Sequence, residues 1–101
     1  MKKVNVKMNS GFNVKETEKN SQVATMVLKP GETTGGPNNK HNGSDQWLYV
    51  VAGKGEALIN GEKVTFDEGD LLLIESGDTH EIKNNSSSDL KTLNFYSPPA
   101  Y

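Results

Sequence analysis

No cysteine occurs anywhere in the chain. Disulfides, thiolate metal sites and a cysteine nucleophile are therefore excluded, and nothing indicates an oxidising compartment. Arginine is missing as well, all 11 basic residues being lysines. A pocket that grips a carboxylate or phosphate with a guanidinium fork has no residue to build it. The lysines are scattered and the formal net charge is −2, which argues against a nucleic-acid partner, since phosphate binding needs a concentrated basic surface. No run approaches the roughly 18–20 apolar residues of a membrane span, so no membrane partner is expected. The opening Met1-Lys2-Lys3-Val4-Asn5-Val6 has the charge of a signal peptide without the apolar stretch that must follow. The cytoplasm is the expected location. Apolar residues spaced for a capped, amphipathic helix are also lacking.

What is present reads as β-structure. Short apolar runs separated by turn residues predict strands over Lys3–Met8, Asn13–Glu18, Gln22–Lys29, Gln46–Ala52, Glu56–Asn60, Glu62–Phe66, Leu71–Glu75, His80–Asn84 and Lys91–Ser97. Asn60-Gly61 is a strong hairpin signal, because both residues tolerate the positive φ of a type I′ turn. Residues 1–101 are long enough for one core and too few for two. The longest irregular stretch runs from Pro30 to Ser44 and is rich in Gly, Asn and Pro. Loops of that length in a compact domain are more often functional than idle.

Period-2 alternation assigns faces. In His80–Asn84 the charged Glu81 and Lys83 must meet water, so His80, Ile82 and Asn84 face inward. In Gln46–Ala52 both faces are largely apolar: Gln46, Leu48 and Val50 on one, Trp47, Tyr49 and Val51 on the other. Such a strand is expected to be covered on both sides. A second subunit is one candidate cover for the Trp47 face, since Trp and Tyr are favoured at interfaces; an N-terminal strand of the same chain is the other. Leu48, Val50, Ile82 and Phe95 are expected to line the interior as an apolar ligand pocket.

The polar residues that suggest chemistry are Asn39, His41, Gln46 and His80. Asn39 and His41 lie two apart, Gln46 opens the next strand, and His80 starts a strand facing inward. The chain has only two histidines, so a shared pocket is a specific expectation.

These residues carry a resemblance to the cupins. Their first motif ends in His-x-His, three or four residues, Glu, six residues, Gly; this chain has Asn39-Lys40-His41, four residues, Gln46, six residues, Gly53. Their second motif is Gly, five residues, Pro-x-Gly, two residues, His, three residues, Asn. This chain has Gly69, five residues, Glu75-Ser76-Gly77, two residues, His80, three residues, Asn84, with Glu75 in place of proline. The motifs occupy about residues 36–53 and 69–84 of a single domain. The resemblance implies an all-β, double-stranded β-helix or jelly-roll barrel. It also implies that a divalent metal ion (Fe, Mn, Ni or Zn) is held in the barrel by His41 and His80, with Asn39 and Gln46 where the family has histidine and glutamate. Two imidazoles and two carboxamides leave the ion without an anionic ligand. Affinity falls, and a bound ion would favour an anionic partner. Asp45, beside Gln46, points to the opposite face of a regular strand and could ligate only through irregular geometry.

Three functions are compatible with this sequence. The first is a metal-dependent dioxygenase, isomerase or lyase acting on a small molecule, with the chemistry done by the metal. The second is a binding module for a small organic ligand, anions included, without turnover. The third is a structural barrel in which the histidines are a hydrogen-bonded remnant. The working expectation is a homodimeric cupin that binds a divalent metal and a small-molecule ligand.

Overall fold

The computed structural model describes residues 1–36 and 40–101. Nine strands follow one another: β1 Gly11–Thr17, β2 Gln22–Leu28, β3 Thr33–Lys40, β4 Asp45–Ala52, β5 Gly55–Ile59, β6 Glu62–Phe66, β7 Leu71–Ile74, β8 Thr79–Lys83 and β9 Leu90–Ser97. They form a five-stranded sheet in the order β1-β2-β9-β4-β7 and a four-stranded sheet in the order β3-β8-β5-β6. All pairings are antiparallel. This is the all-β double-stranded β-helix that the cupin resemblance implied.

Alternation explains what lies between the sheets. Along β4, Gln46, Leu48 and Val50 are buried while Trp47, Tyr49 and Val51 are exposed. The core gathers Met26, Leu28, Leu48, Val50, Ala57, Phe66, Ile74, Ile82 and Leu90. Each large side chain fully removed from water there contributes roughly 1.5–3 kcal/mol. The β5–β6 hairpin turns on Asn60 and Gly61, both at positive φ (50° and 79°), with Ile59 opposite Glu62. Gly53 ends the first motif for a steric reason: a Cβ there would lie 2.4 Å from the main-chain oxygen of Asp89.

Two expectations need correction. Residues 3–8 form no strand, although Val4, Val6 and Met8 alternate. Just before it, Lys2 pairs with Glu16 of β1 at 2.9 Å and with Glu18 beyond its end, all at the surface, and such exposed pairs hold little. β3, in turn, runs through what reads as irregular sequence. It has no apolar alternation and takes its partners from tertiary pairing, with Thr33, Thr34 and Gly35 opposite Lys83, Ile82 and Glu81 of β8.

Candidate functional site

The site is assembled at one end of the barrel interior by two loops that the backbone ties together. His41 precedes β4, and its carbonyl oxygen accepts the N–H of Gly77 at 2.8 Å. The Gly43 N–H donates to Ser76 Oγ at 2.7 Å, and the Ser76 N–H donates to Asp45 Oδ1 at 2.8 Å. The two motif loops are thus one unit. Asp45 has its carboxylate engaged on that seam, with its residue exposed.

His80 is buried on β8 and faces inward with Ile82 and Asn84. Its Nδ1 lies 3.4 Å from the main-chain oxygen of Asp78, a long contact. The rings of His41 and His80 have centroids 4.8 Å apart and are tilted by 40°. An imidazole nitrogen binds an ion at about 2.1 Å, so rings this close would be near enough to share one. Gln46 stands beside them, 4% exposed. Among the described residues, Gln46 Oε1 and Thr25 Oγ1 are the buried side-chain oxygens that accept no hydrogen bond. Such an atom is costly unless something with positive character meets it.

Burial favours the neutral form of both histidines. Burial pushes the His41 imidazole below its ordinary range; the neighbouring His80 pushes it further, and the Gln46 carboxamide partly opposes this. Burial also lowers His80, against the pull of the Asp78 main-chain oxygen and carboxylate. Neutral imidazole is the form that binds metals. No group of three or more His, Cys, Asp or Glu able to hold a metal ion occurs among the described residues. What the described residues bring together here is two imidazoles and one carboxamide oxygen, a neutral set that would hold a divalent ion without balancing its charge. Asn39 lies outside the described residues.

Of the apolar residues expected in the pocket, Ile82 lines the cavity at this end, a space of about 30 Å³ also bounded by Gln46, His80, Asn94, Tyr96 and Tyr101. Leu48 and Val50 lie in the hydrophobic core. Phe95 is on the other side of its sheet: it is 40% exposed and pairs across with Trp47. Along β9 the buried residues are Leu90, Thr92, Asn94 and Tyr96. Tyr96, not the more apolar Phe95, shares the inner face with Leu90. Tyr96 meets His41 edge-on at 5.2 Å between centroids, and burial raises its phenol far above the ordinary range. Asn84 bonds elsewhere. It donates to the oxygens of Leu28 and Ser88, both at 2.8 Å, and accepts from Ser86 N (3.0 Å) and Oγ (2.7 Å). That makes it a clasp for the β8–β9 connection.

This geometry, a jelly-roll with a histidine from each motif at one mouth, is that of a cupin-type barrel. The chain belongs to the cupin family: the cupin domain (Cupin_2) matches residues 24–96. It is 36% identical over 70 residues to the oxalate-binding protein of Thermotoga maritima, a match covering 69% of this chain and 56% of that one. This chain thus spans little more than half the length of that relative. A T. maritima crystal structure described as a predicted oxalate decarboxylase superposes with a TM-score of 0.72 at 33% identity, covering 78% of this chain and 67% of the other. A Bacillus halodurans protein superposes with a TM-score of 0.84 over 91% of this chain and 73% of its own; at 24% identity, it bears on the fold alone.

Proposed function

We propose that this cupin binds a small organic anion of the oxalate class at the mouth of its barrel, through a divalent metal ion held by His41, His80 and Gln46. The observation that carries this reading is the pairing of two desolvated imidazoles, 4.8 Å apart, with a buried carboxamide oxygen that accepts no hydrogen bond among the described residues. Similarity to a protein named for oxalate binding supports the ligand class. When bound, the ion would supply Lewis acidity and the positive charge that the chain's missing arginines do not. Gln46 and Tyr96 line the cavity, Tyr96 packs edge-on against His41, and the Gly77–His41 hydrogen bond fixes the loop that carries His41. A metal-free binding barrel is the second reading, favoured by the lack of any carboxylate in the pocket lining.

The same reading includes a homodimer. Trp47 stands opposite Leu73 and Phe95, and Tyr49 opposite Leu71, making an exposed apolar surface on the outer face of one sheet. β1 sits at the sheet edge beyond β2 and β9, and among the described residues no strand covers that face, where Trp47, Tyr49 and Phe95 stay exposed. Surfaces of this kind are typical of protein–protein contacts.

The deciding measurement is elemental analysis of untagged protein purified without chelator or nickel resin, beside the double variant His41→Ala/His80→Ala. About one metal per chain, lost in the variant while far-UV circular dichroism is unchanged, is the expected result. Metal retained by the variant would mean other ligands. Absence of metal in both, with none taken up on titration, would leave the metal-free reading.

A further inference from the structure

The segment after β9 turns back over the polar mouth. Gln22, 1% exposed on β2, holds it there. Its Oε1 accepts the N–H of Ala100 at 3.0 Å and of Tyr101 at 2.9 Å; its Nε2 donates to the Tyr101 main-chain oxygen and to Thr17 Oγ1, both at 2.8 Å. Ser44 Oγ fixes the start of the segment by donating to the Pro98 oxygen at 2.6 Å. A buried carboxamide with both ends engaged is a strong positional constraint, because leaving it unpaired is costly. What it positions is the Tyr101 ring, with its centroid 4.8 Å from Phe12 and 5.2 Å from both Tyr96 and His41. The Tyr101 hydroxyl lies 3.2 Å from His41 Nε2. The residue is 59% exposed, so it closes the site from outside rather than packing within it. The cavity behind it, about 30 Å³, has room for one or two waters.

We propose that Tyr101 is a specificity-determining cap on the barrel site: its hydroxyl competes with an ion or ligand for His41 Nε2, and its ring sets the size of what the barrel accepts. The size-selection half rests on the reading of the barrel as a small-anion site; the capping half stands on the contacts alone. A small dianion needs only a turn of the phenol, whereas a longer one needs the segment released from Gln22.

The full chain and its Tyr101→Phe, Tyr101→Ala and Gln22→Leu variants test this in two measurements. The first is the rate of His41 modification by diethylpyrocarbonate, read by peptide mass spectrometry and needing no metal. Loss of one competing hydrogen bond should raise it about fivefold in Tyr101→Phe, and more in Tyr101→Ala and Gln22→Leu. Equal His41 reactivity in all four proteins would overturn the cap. The second is calorimetric titration of zinc, then of oxalate and adipate into the zinc-loaded proteins. Tyr101→Phe should bind zinc about fivefold tighter, and Tyr101→Ala should reduce the preference for oxalate over adipate at least about tenfold. Unchanged zinc affinity and ligand preference in these variants would overturn the cap while leaving the site reading intact. A raised His41 reactivity with no zinc binding in any protein would support the cap and sink the metal site.

Discussion

Two carboxamides inside the same barrel live under opposite conditions. Asn84, between the Leu28 carbonyl and the 86–88 turn, has four hydrogen bonds, two given and two received. Gln46, at the end where His41, His80 and Tyr96 meet, has an oxygen that accepts none among the described residues. Both side chains are buried, at 0% and 4% exposure. The difference lies in what surrounds them. Around Asn84 the chain itself supplies every partner, so the residue holds a turn. Around Gln46 the neighbours are imidazoles and aromatic rings, and its oxygen accepts no hydrogen bond among the described residues.

That contrast can be broken. Asn84→Ala leaves the Leu28 carbonyl and the 86–88 turn without their donors and acceptor, and should lower unfolding free energy by about 2–4 kcal/mol in urea. Gln46→Leu replaces a carboxamide whose oxygen accepts no hydrogen bond among the described residues with an apolar side chain of similar size, so its stability should stay within about 1 kcal/mol of the unmutated protein, while metal retention falls. Equal destabilisation by the two changes would mean that Gln46 is an ordinary structural residue. On the outer face, Trp47→Ala should weaken dimerisation by about 2 kcal/mol, as for a central aromatic anchor; a monomer by sedimentation before mutation would end that proposal. Gln46→Glu restores an anionic donor and should tighten zinc binding about tenfold, near 1.4 kcal/mol. Unchanged binding would put Gln46 outside the ion's reach.

The smallest effect concerns pH. Both imidazoles are held below the ordinary value of 6.5 in the folded chain, so the unfolded chain binds more protons as the solution is acidified. Stability from this source is fully present above about pH 6.5 and declines as pH falls toward the lowered folded values. Thermal unfolding of metal-free protein between pH 8 and pH 5 should show that slope, and His41→Ala/His80→Ala should flatten it. A slope unchanged by the double variant would assign it to other groups.

Much of the fold was legible because alternation is a local property. The faces of β4 and β8, the Asn60-Gly61 hairpin and the inward position of His80 all follow from period 2 and turn chemistry. The failures are equally physical. Lys3–Met8 alternates correctly, yet a strand needs a neighbour and none is provided there. Thr33–Lys40 alternates poorly, yet β8 offers an edge and pairing overrides propensity. Phe95 was read by its hydropathy, whereas its position in β9 placed it outside.

The sequence by itself determined which residues alternate inward, where the chain turns, and that two histidines fall at motif positions in a domain with neither cysteine nor arginine. Tertiary structure alone decided that those histidines stand 4.8 Å apart and that Gln22, 79 positions away in sequence, carries Tyr101 to His41. The reason is that strand order, β2 beside β9 and β9 beside β4, is set by how two sheets close over one core. Local propensity has no knowledge of that closure, and the site exists only after it.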